Sequence, residues 1–220
     1  MPGQLDFRTA GLKQSADNYN ESIRSKWESI RLDGPGIYTS LLEISDNSID
    51  WGKAPQITFT YNQDRGIMAI TDNGPEGFKT EEALDRFFIL GKRNEDVNEC
   101  GVGKFGKGGY QACINISDNL HIQSYFDGHI HSIGSDFIKM MEDNTLSPTS
   151  PYSFQDNDDQ KVGSQFTMTF RPEWKNKFSA DHLRRNIIRA YHKFNNELTF
   201  NIDGEICKPS DYCPYNDYHQ

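Results

Sequence analysis

Apolar positions recur along the chain in two rhythms, and the switches between them mark out the elements. Over residues 37–51 the spacing is helical: Ile37, Leu41, Ile44 and Ser48 fall on one stripe, which Leu42 and Ile49 widen. Asp33-Gly34-Pro35-Gly36 separates this helix from an earlier one, which starts near Ser15 or Asp17 and runs to about Leu32. Gly52-Lys53-Ala54-Pro55 ends the second helix. The rhythm then shortens to two. Ile57, Phe59 and Tyr61 predict a strand over 56–61, residues 62–66 a hairpin connection, and 67–71 the return strand. Thr80 is placed to cap a helix over 81–90, with Leu84, Phe87 and Phe88 inward and Gly91 at its end.

Residues 91–109 are polar and glycine-rich and read as a mobile loop, followed by a short helix to about Ile116. The period of two then returns. Leu120, Ile122, Ser124 and Phe126 alternate with His121, Gln123 and Tyr125, and Asp127-Gly128 makes a tight turn into a strand over 129–137. Residues 139–161, rich in Asp, Asn, Ser and Pro, are expected to form an exposed loop. Val162, Ser164, Phe166, Met168 and Phe170 alternate with polar residues as in a half-buried strand. A helix over 180–195 follows, and Leu198, Phe200 and Ile202, an Asp203-Gly204 turn and Ile206 close the pattern with a hairpin. There is no internal repeat.

Short turns between neighbouring strands favour antiparallel pairing. The order of elements therefore predicts an α+β two-layer sandwich, a mixed and mainly antiparallel sheet covered on one face by helices. The expected organisation is a flexible N-terminus over 1–14, one domain over 15–208, and a C-terminal tail over 209–220. The length suffices for one substantial core.

The remaining bulk properties narrow the setting. No apolar run approaches the roughly 20 residues needed to span a bilayer, so no membrane partner is expected. Met1 to Ala10 lack the apolar core of a signal peptide. Cys100, Cys113, Cys207 and Cys213 form no C-x-x-C pair and read as reduced thiols. A cytoplasmic or nuclear setting is the expectation. The net charge of −9 disfavours a wholly basic nucleic-acid surface without excluding a local patch.

Three short stretches carry candidate chemistry. Glu43 and Asn47 stand four apart on the second helix and share a face. A carboxylate there takes a proton from an attacking water, and a neutral amide oxygen beside it ligates Mg²⁺. Asp46 and Asp50 add two carboxylates on a half-buried helix, which is costly unless something satisfies them. In isolation the pattern is more often a solvated polar stripe. Asp72 ends a strand and precedes Asn73-Gly74. Its carboxylate suits the exocyclic amine of adenine, with Gly74 and Gly77 letting the backbone pass close to the base. Alone, Asp-Asn-Gly is more simply a turn. Residues 101–109 hold five glycines and two lysines. Gly103, Gly106, Gly108 and Gly109 let backbone N–H groups converge on phosphate, and the next helix adds its positive dipole end. Lys104 and Lys107, with Lys92 and Arg93 upstream, suit phosphate charge, while Phe105 and Tyr110 suggest that the loop packs. No Gly-Lys-Ser/Thr occurs, so this is not a Walker A loop, and the glycines do not follow a strand as a Rossmann fingerprint requires.

Together and in this order, the three stretches resemble the boxes of the GHKL ATPases, closest in motif style to MORC-like and heat-shock-chaperone-type domains. Residues 42–50 resemble the box whose glutamate is the general base and whose asparagine holds Mg²⁺; 71–74 resemble the adenine-reading box; and 102–110 resemble the phosphate box. Val162-Gly163-Ser164 resembles the later Gly-Thr pair that supports the adenine-binding aspartate, with Ser164 in place of threonine. Residues 88–93 sit where MORC-like members begin their ATP lid. The second box carries Pro75-Glu76 as an insertion before Gly77, and Trp51 replaces a small residue. The resemblance covers about residues 20 to 171. It implies the Bergerat fold, Glu43 as catalytic base, Asn47 on Mg²⁺, and ATP as ligand and substrate. It also implies a lid that closes over the γ-phosphate and, in many members, dimerisation on ATP binding.

The expected function is slow Mg²⁺-dependent ATP hydrolysis serving as a conformational switch. One rival is a phosphotransferase of the histidine-kinase branch; His182 and His192 lie after the candidate site and not before it, which weighs against that reading. Another is a non-catalytic nucleotide-binding interaction module. Arg185, Arg189 and Lys193 form a basic stripe on the late helix, more simply a solvated face than a nucleic-acid contact, and His129 and His131 share a strand face with no third metal ligand nearby.

Overall fold

The computed structural model describes residues 25–76, 78, 84, 87, 108–145, 148–193 and 197–211. They form an α+β fold around one mixed sheet of eight strands. Helix α1, described over 25–33, and α2, Ile37–Asp50, precede the hairpin β1, Gln56–Asn62, and β2, Ile67–Asp72. Helix α3, Gly108–Ile116, leads directly into β3, Ser117–Phe126, which returns as β4, His129–Asp136. Then come α4, Phe137–Glu142, β5, Ser150–Asp156, β6, Gly163–Phe170, and the one-turn α5, Pro172–Lys175. Helix α6, Ala180–Tyr191, and the hairpin β7, Thr199–Ile202, and β8, Glu205–Cys207, complete the order.

The strands lie in the order β5-β4-β3-β6-β2-β1-β7-β8. Every pairing is antiparallel except β1 with β7, where Gln56 to Phe59 run parallel to Thr199 to Ile202. The hairpin turns follow from their residues. Asp127-Gly128 and Asp203-Gly204 all have positive φ, the conformation of a two-residue turn whose twist matches that of its strands.

Alternation places one set of side chains on a buried face. Ile57 and Phe59, Met68 and Ile70, Leu120 and Ile122, Phe166 and Met168, and Phe200 and Ile202 are all buried. Their neighbours Thr58, Ala69, His121, Gln123, Thr167 and Asn201 are not. The buried set forms one cluster with Ile37, Leu41 and Ile44 of α2, Ala112 and Ile114 of α3, and Leu183, Ile187 and Tyr191 of α6. Ser179 caps α6 by accepting a hydrogen bond from the His182 N–H. Among the described residues no helix is long and apolar enough to cross a membrane.

Several expectations are adjusted. Residues 139–161 are not one loop: α4 extends into them to Glu142, and β5 pairs antiparallel with β4. β5 is an edge strand with most of its residues exposed, so the composition that suggested a loop reflects exposure on both faces. Phe137 opens a helix capped by Asp136, whose side chain accepts from the Lys139 N–H, and does not extend β4. The late helix ends at Tyr191, and α5 was not anticipated. Leu84 and Phe87 are helical as expected, Leu84 buried and Phe87 partly so; Phe88 lies outside the described residues.

Ile122 is fully buried at the middle of the sheet, paired with Phe166 on one side and Ile133 on the other. Ile122→Ala is expected to destabilise the fold by about 2–5 kcal/mol, read as a lower midpoint in denaturant with an unchanged slope.

Candidate functional site

The buried sheet face is largely apolar, with Ser135 of β4 an exception, and turns polar along one transverse row. Asp72, Ser164, Ser124 and His131 stand side by side on β2, β6, β3 and β4. The next row inward is Ile70, Phe166, Ile122 and Ile133. A strand spacing of about 4.8 Å makes the polar row about 14 Å long. It marks where the hydrophobic core stops.

Asp72 is the strongest polar group in that row. It is 3% exposed, and both carboxylate oxygens are fully engaged. Oδ1 accepts from the Gly74 N–H at 2.9 Å and the Ser164 N–H at 3.2 Å. Oδ2 accepts from the Ser164 hydroxyl at 2.5 Å and the Ser48 hydroxyl at 2.9 Å. Burial pushes this carboxyl upward, and the four donated hydrogen bonds oppose the shift by favouring the charged form. The Ser164 bonds need its backbone close to the end of β2, and Gly163 makes that approach. Gly163 has φ of +96°, and a Cβ there would lie 2.0 Å from the Asp72 carbonyl oxygen. The turn after Asp72 is held in the same way: Asn73 Oδ1 accepts from the Gln56 N–H, and the Glu76 N–H donates to the Gly52 carbonyl.

Ser48 ties this carboxylate to α2. The helix buries Ile37, Leu41, Ile44 and Ser48 and leaves Glu43, Asp46, Asn47 and Asp50 half-buried along its margin. Glu43 and Asn47 lie against the first two residues of α3. A Cβ on Gly108 would fall 1.8 Å from Glu43 Oε2, and one on Gly109 would fall 2.0 Å from Asn47 Nδ2. With glycine at both positions the α3 backbone lies against the two side chains; a Cβ would displace the flexible end of Glu43 or Asn47. The end of the glycine-rich stretch, the acid and amide of α2, and the buried Asp72 therefore share one neighbourhood, with α2 common to all three.

Burial raises Glu43 above the usual carboxylate range. Asp46 is pushed up to about 6, first by burial and then by the charges of Glu43 and Asp50, against a hydrogen bond from Tyr191 that lowers it. That bond, from the Tyr191 hydroxyl to Asp46 Oδ1, is 2.6 Å long. Among the described residues no group of three or more His, Cys, Asp or Glu is arranged to hold a metal ion. His129 and His131 are near one another, their rings 6.2 Å apart, but His131 Nδ1 is engaged by the Tyr152 hydroxyl and His129 Nδ1 by the Asp127 carbonyl.

Of the candidate site residues, Glu43, Asp46, Asn47, Asp72, Gly74, Gly108, Gly109 and Ser164 come together through these contacts. Asp50 lies on the same helix, one turn beyond Asp46. Gly77, Lys92, Arg93, Gly103, Lys104, Phe105, Gly106 and Lys107 lie outside the described residues. Ser48, Gly163 and Tyr191 belong to the site's framework but not to the candidate list. Ser48 was discernible as a hydroxyl on an otherwise apolar stripe, a position that requires a polar partner. Tyr191 carried no such signal, because on α6 it sits among core residues. No protein-family model matches the chain, and a search of curated proteins finds no match.

Asp46 sits above its unfolded value of 3.8, so it binds its proton more tightly folded than unfolded. The stabilisation this gives is complete below about pH 4 and is lost as pH rises through about 6. Asp46→Asn is expected to be more stable than the parent at pH 7 and to lose that advantage towards pH 4. Thermal denaturation across this range checks it; a difference independent of pH contradicts it.

Proposed function

We propose that this chain is a GHKL-type ATPase that binds ATP with Mg²⁺ and hydrolyses it slowly, using the reaction as a conformational switch. One observation carries the reading: α2 presents Glu43 and Asn47 to the Gly108-Gly109 backbone while its Ser48 holds Asp72. The three sequence stretches meet at α2, which supports the roles their resemblance implies.

In this reading Asp72 reads the purine. Its carboxylate is fixed in place by donors from three segments, and an adenine amine takes up a place on an oxygen that one of those donors yields or shares. That charge is also the selective element, since a base presenting an acceptor in place of the amine is repelled by the carboxylate. The α3 end contributes backbone N–H groups and a helix dipole suited to phosphate. Asn47 supplies a neutral oxygen for Mg²⁺. One protein ligand suits an ion that keeps several waters and takes phosphate oxygens. When bound, Mg²⁺ supplies neutralisation of charge developing on the phosphates. Glu43 is the general base. Burial shifts its half-buried carboxyl upward, the direction that makes a carboxylate a stronger base. A cytoplasmic or nuclear setting belongs to the same proposal, supported by the buried free thiols of Cys113 and Cys207.

Glu43→Gln is expected to retain a non-hydrolysable ATP analogue with Mg²⁺ while losing turnover by about 10²–10⁴-fold. Calorimetry and phosphate release read the two quantities, and undiminished turnover removes Glu43 from the role. Asp72→Asn is expected to abolish analogue binding in calorimetry; unchanged affinity rejects the assignment of Asp72 and with it the adenine pocket.

A further inference from the structure

Tyr191 is the last residue of α6, 145 residues beyond Asp46 in the chain, and its side chain reaches the margin of α2. The ring is 1% exposed and stacks on Phe200 of β7, with centroids 5.2 Å apart and planes at 23°. Packing thus fixes the phenol to the sheet. Its hydroxyl donates to Asp46 Oδ1 at 2.6 Å and also lies 3.3 Å from the Leu42 carbonyl oxygen. A phenol has one proton, and the shorter, charge-assisted bond to the carboxylate takes it.

The order of residues on α2 gives these contacts their meaning. Asp46 stands three residues beyond Glu43, and Asp46 and Ser48 bracket Asn47. Glu43 therefore lies within one turn of one polar anchor, and Asn47 between two. The first anchor runs through Tyr191 to α6 and β7, the second through Ser48 to Asp72 and β2. The Tyr191 bond also holds the Asp46 carboxylate towards α6. Glu43 and Asp50 stand three and four residues from Asp46 on the helix, spacings at which like charges repel.

Resting on the ATPase reading above, we propose that Tyr191 is a positioning residue for the hydrolytic step: through Asp46 it holds the segment of α2 that carries Glu43 and Asn47. Purine recognition runs through the other anchor. Removing the hydroxyl therefore separates the two halves of the function, slowing turnover while leaving nucleotide affinity in place.

The test uses the whole chain and three variants, Tyr191→Phe, Asp46→Ala and the double. Phosphate release gives kcat, and calorimetry with a non-hydrolysable ATP analogue and Mg²⁺ gives Kd. Each single variant is expected to lower kcat by about 5–50-fold, within the range by which small displacements of catalytic groups slow enzymes, with Kd held within about threefold. The double variant is expected to be no slower than the slower single, because the two groups act as one unit. Unchanged kcat in Tyr191→Phe overturns the proposal, as do losses that multiply in the double variant or that affect kcat and Kd together. If Tyr191→Phe does not fold, Asp46→Ala decides alone: kcat lost at constant Kd sustains the role, and any other pattern ends it. A parent chain that neither binds the analogue nor releases phosphate defeats the ATPase reading itself, an outcome distinct from all of these.

Discussion

A charged carboxylate is hard to place beneath a sheet, and the way Asp72 is placed organises the region around it. Burial disfavours its charged form. Four donors from three separate segments oppose this: the turn that follows it, the start of β6, and α2. Each donor constrains the segment that offers it. The turn at Gly74 packs onto Gly52, β6 begins at a glycine in the left-handed region, and α2 gives up a core position to a serine. Loss of any one donor would leave part of a buried charge unsatisfied, so the segments are fixed together more firmly than their apolar contacts alone would require.

Helix α2 meets two opposed demands. One stripe belongs to the hydrophobic core, and an adjacent margin bears Glu43, Asp46 and Asp50. Half-burial raises both Glu43 and Asp46, and for Asp46 the charges of Glu43 and Asp50 add to the shift. Neighbouring elements meet this margin with small or neutral groups, Gly108 of α3 beside Glu43 and the Tyr191 phenol on Asp46.

Most of the architecture could be read from the chain because its local chemistry is consistent. Alternation along β1, β2, β3 and β6 and the Asp-Gly turns between β3 and β4 and between β7 and β8 each depend on a few adjacent residues. What escaped depends on distant ones. β5 looks polar because an edge strand is exposed on both faces, so its composition resembles that of a loop. The parallel pairing of β1 with β7 leaves no mark on either strand. At the site, Glu43, Asn47 and Asp72 were recognisable by residue type and order, whereas their proximity was not, since Asp72 in isolation reads as a turn residue. Tyr191 was hidden for the opposite reason: an aromatic at a core position looks fully explained by packing.

The β1–β7 ladder has a consequence for how the protein is made. Gln56 must wait for Thr199, so the central sheet stays incomplete until nearly the whole domain has left the ribosome. During that wait β1 is a bare edge, with Ile57 and Phe59 on one face and unsatisfied backbone groups along its rim, the kind of surface that recruits other chains. Closing a contact across so much sequence is also slow. The final hairpin is therefore the closing piece of the domain, and the interval before it docks is when the nascent chain is most vulnerable to aggregation.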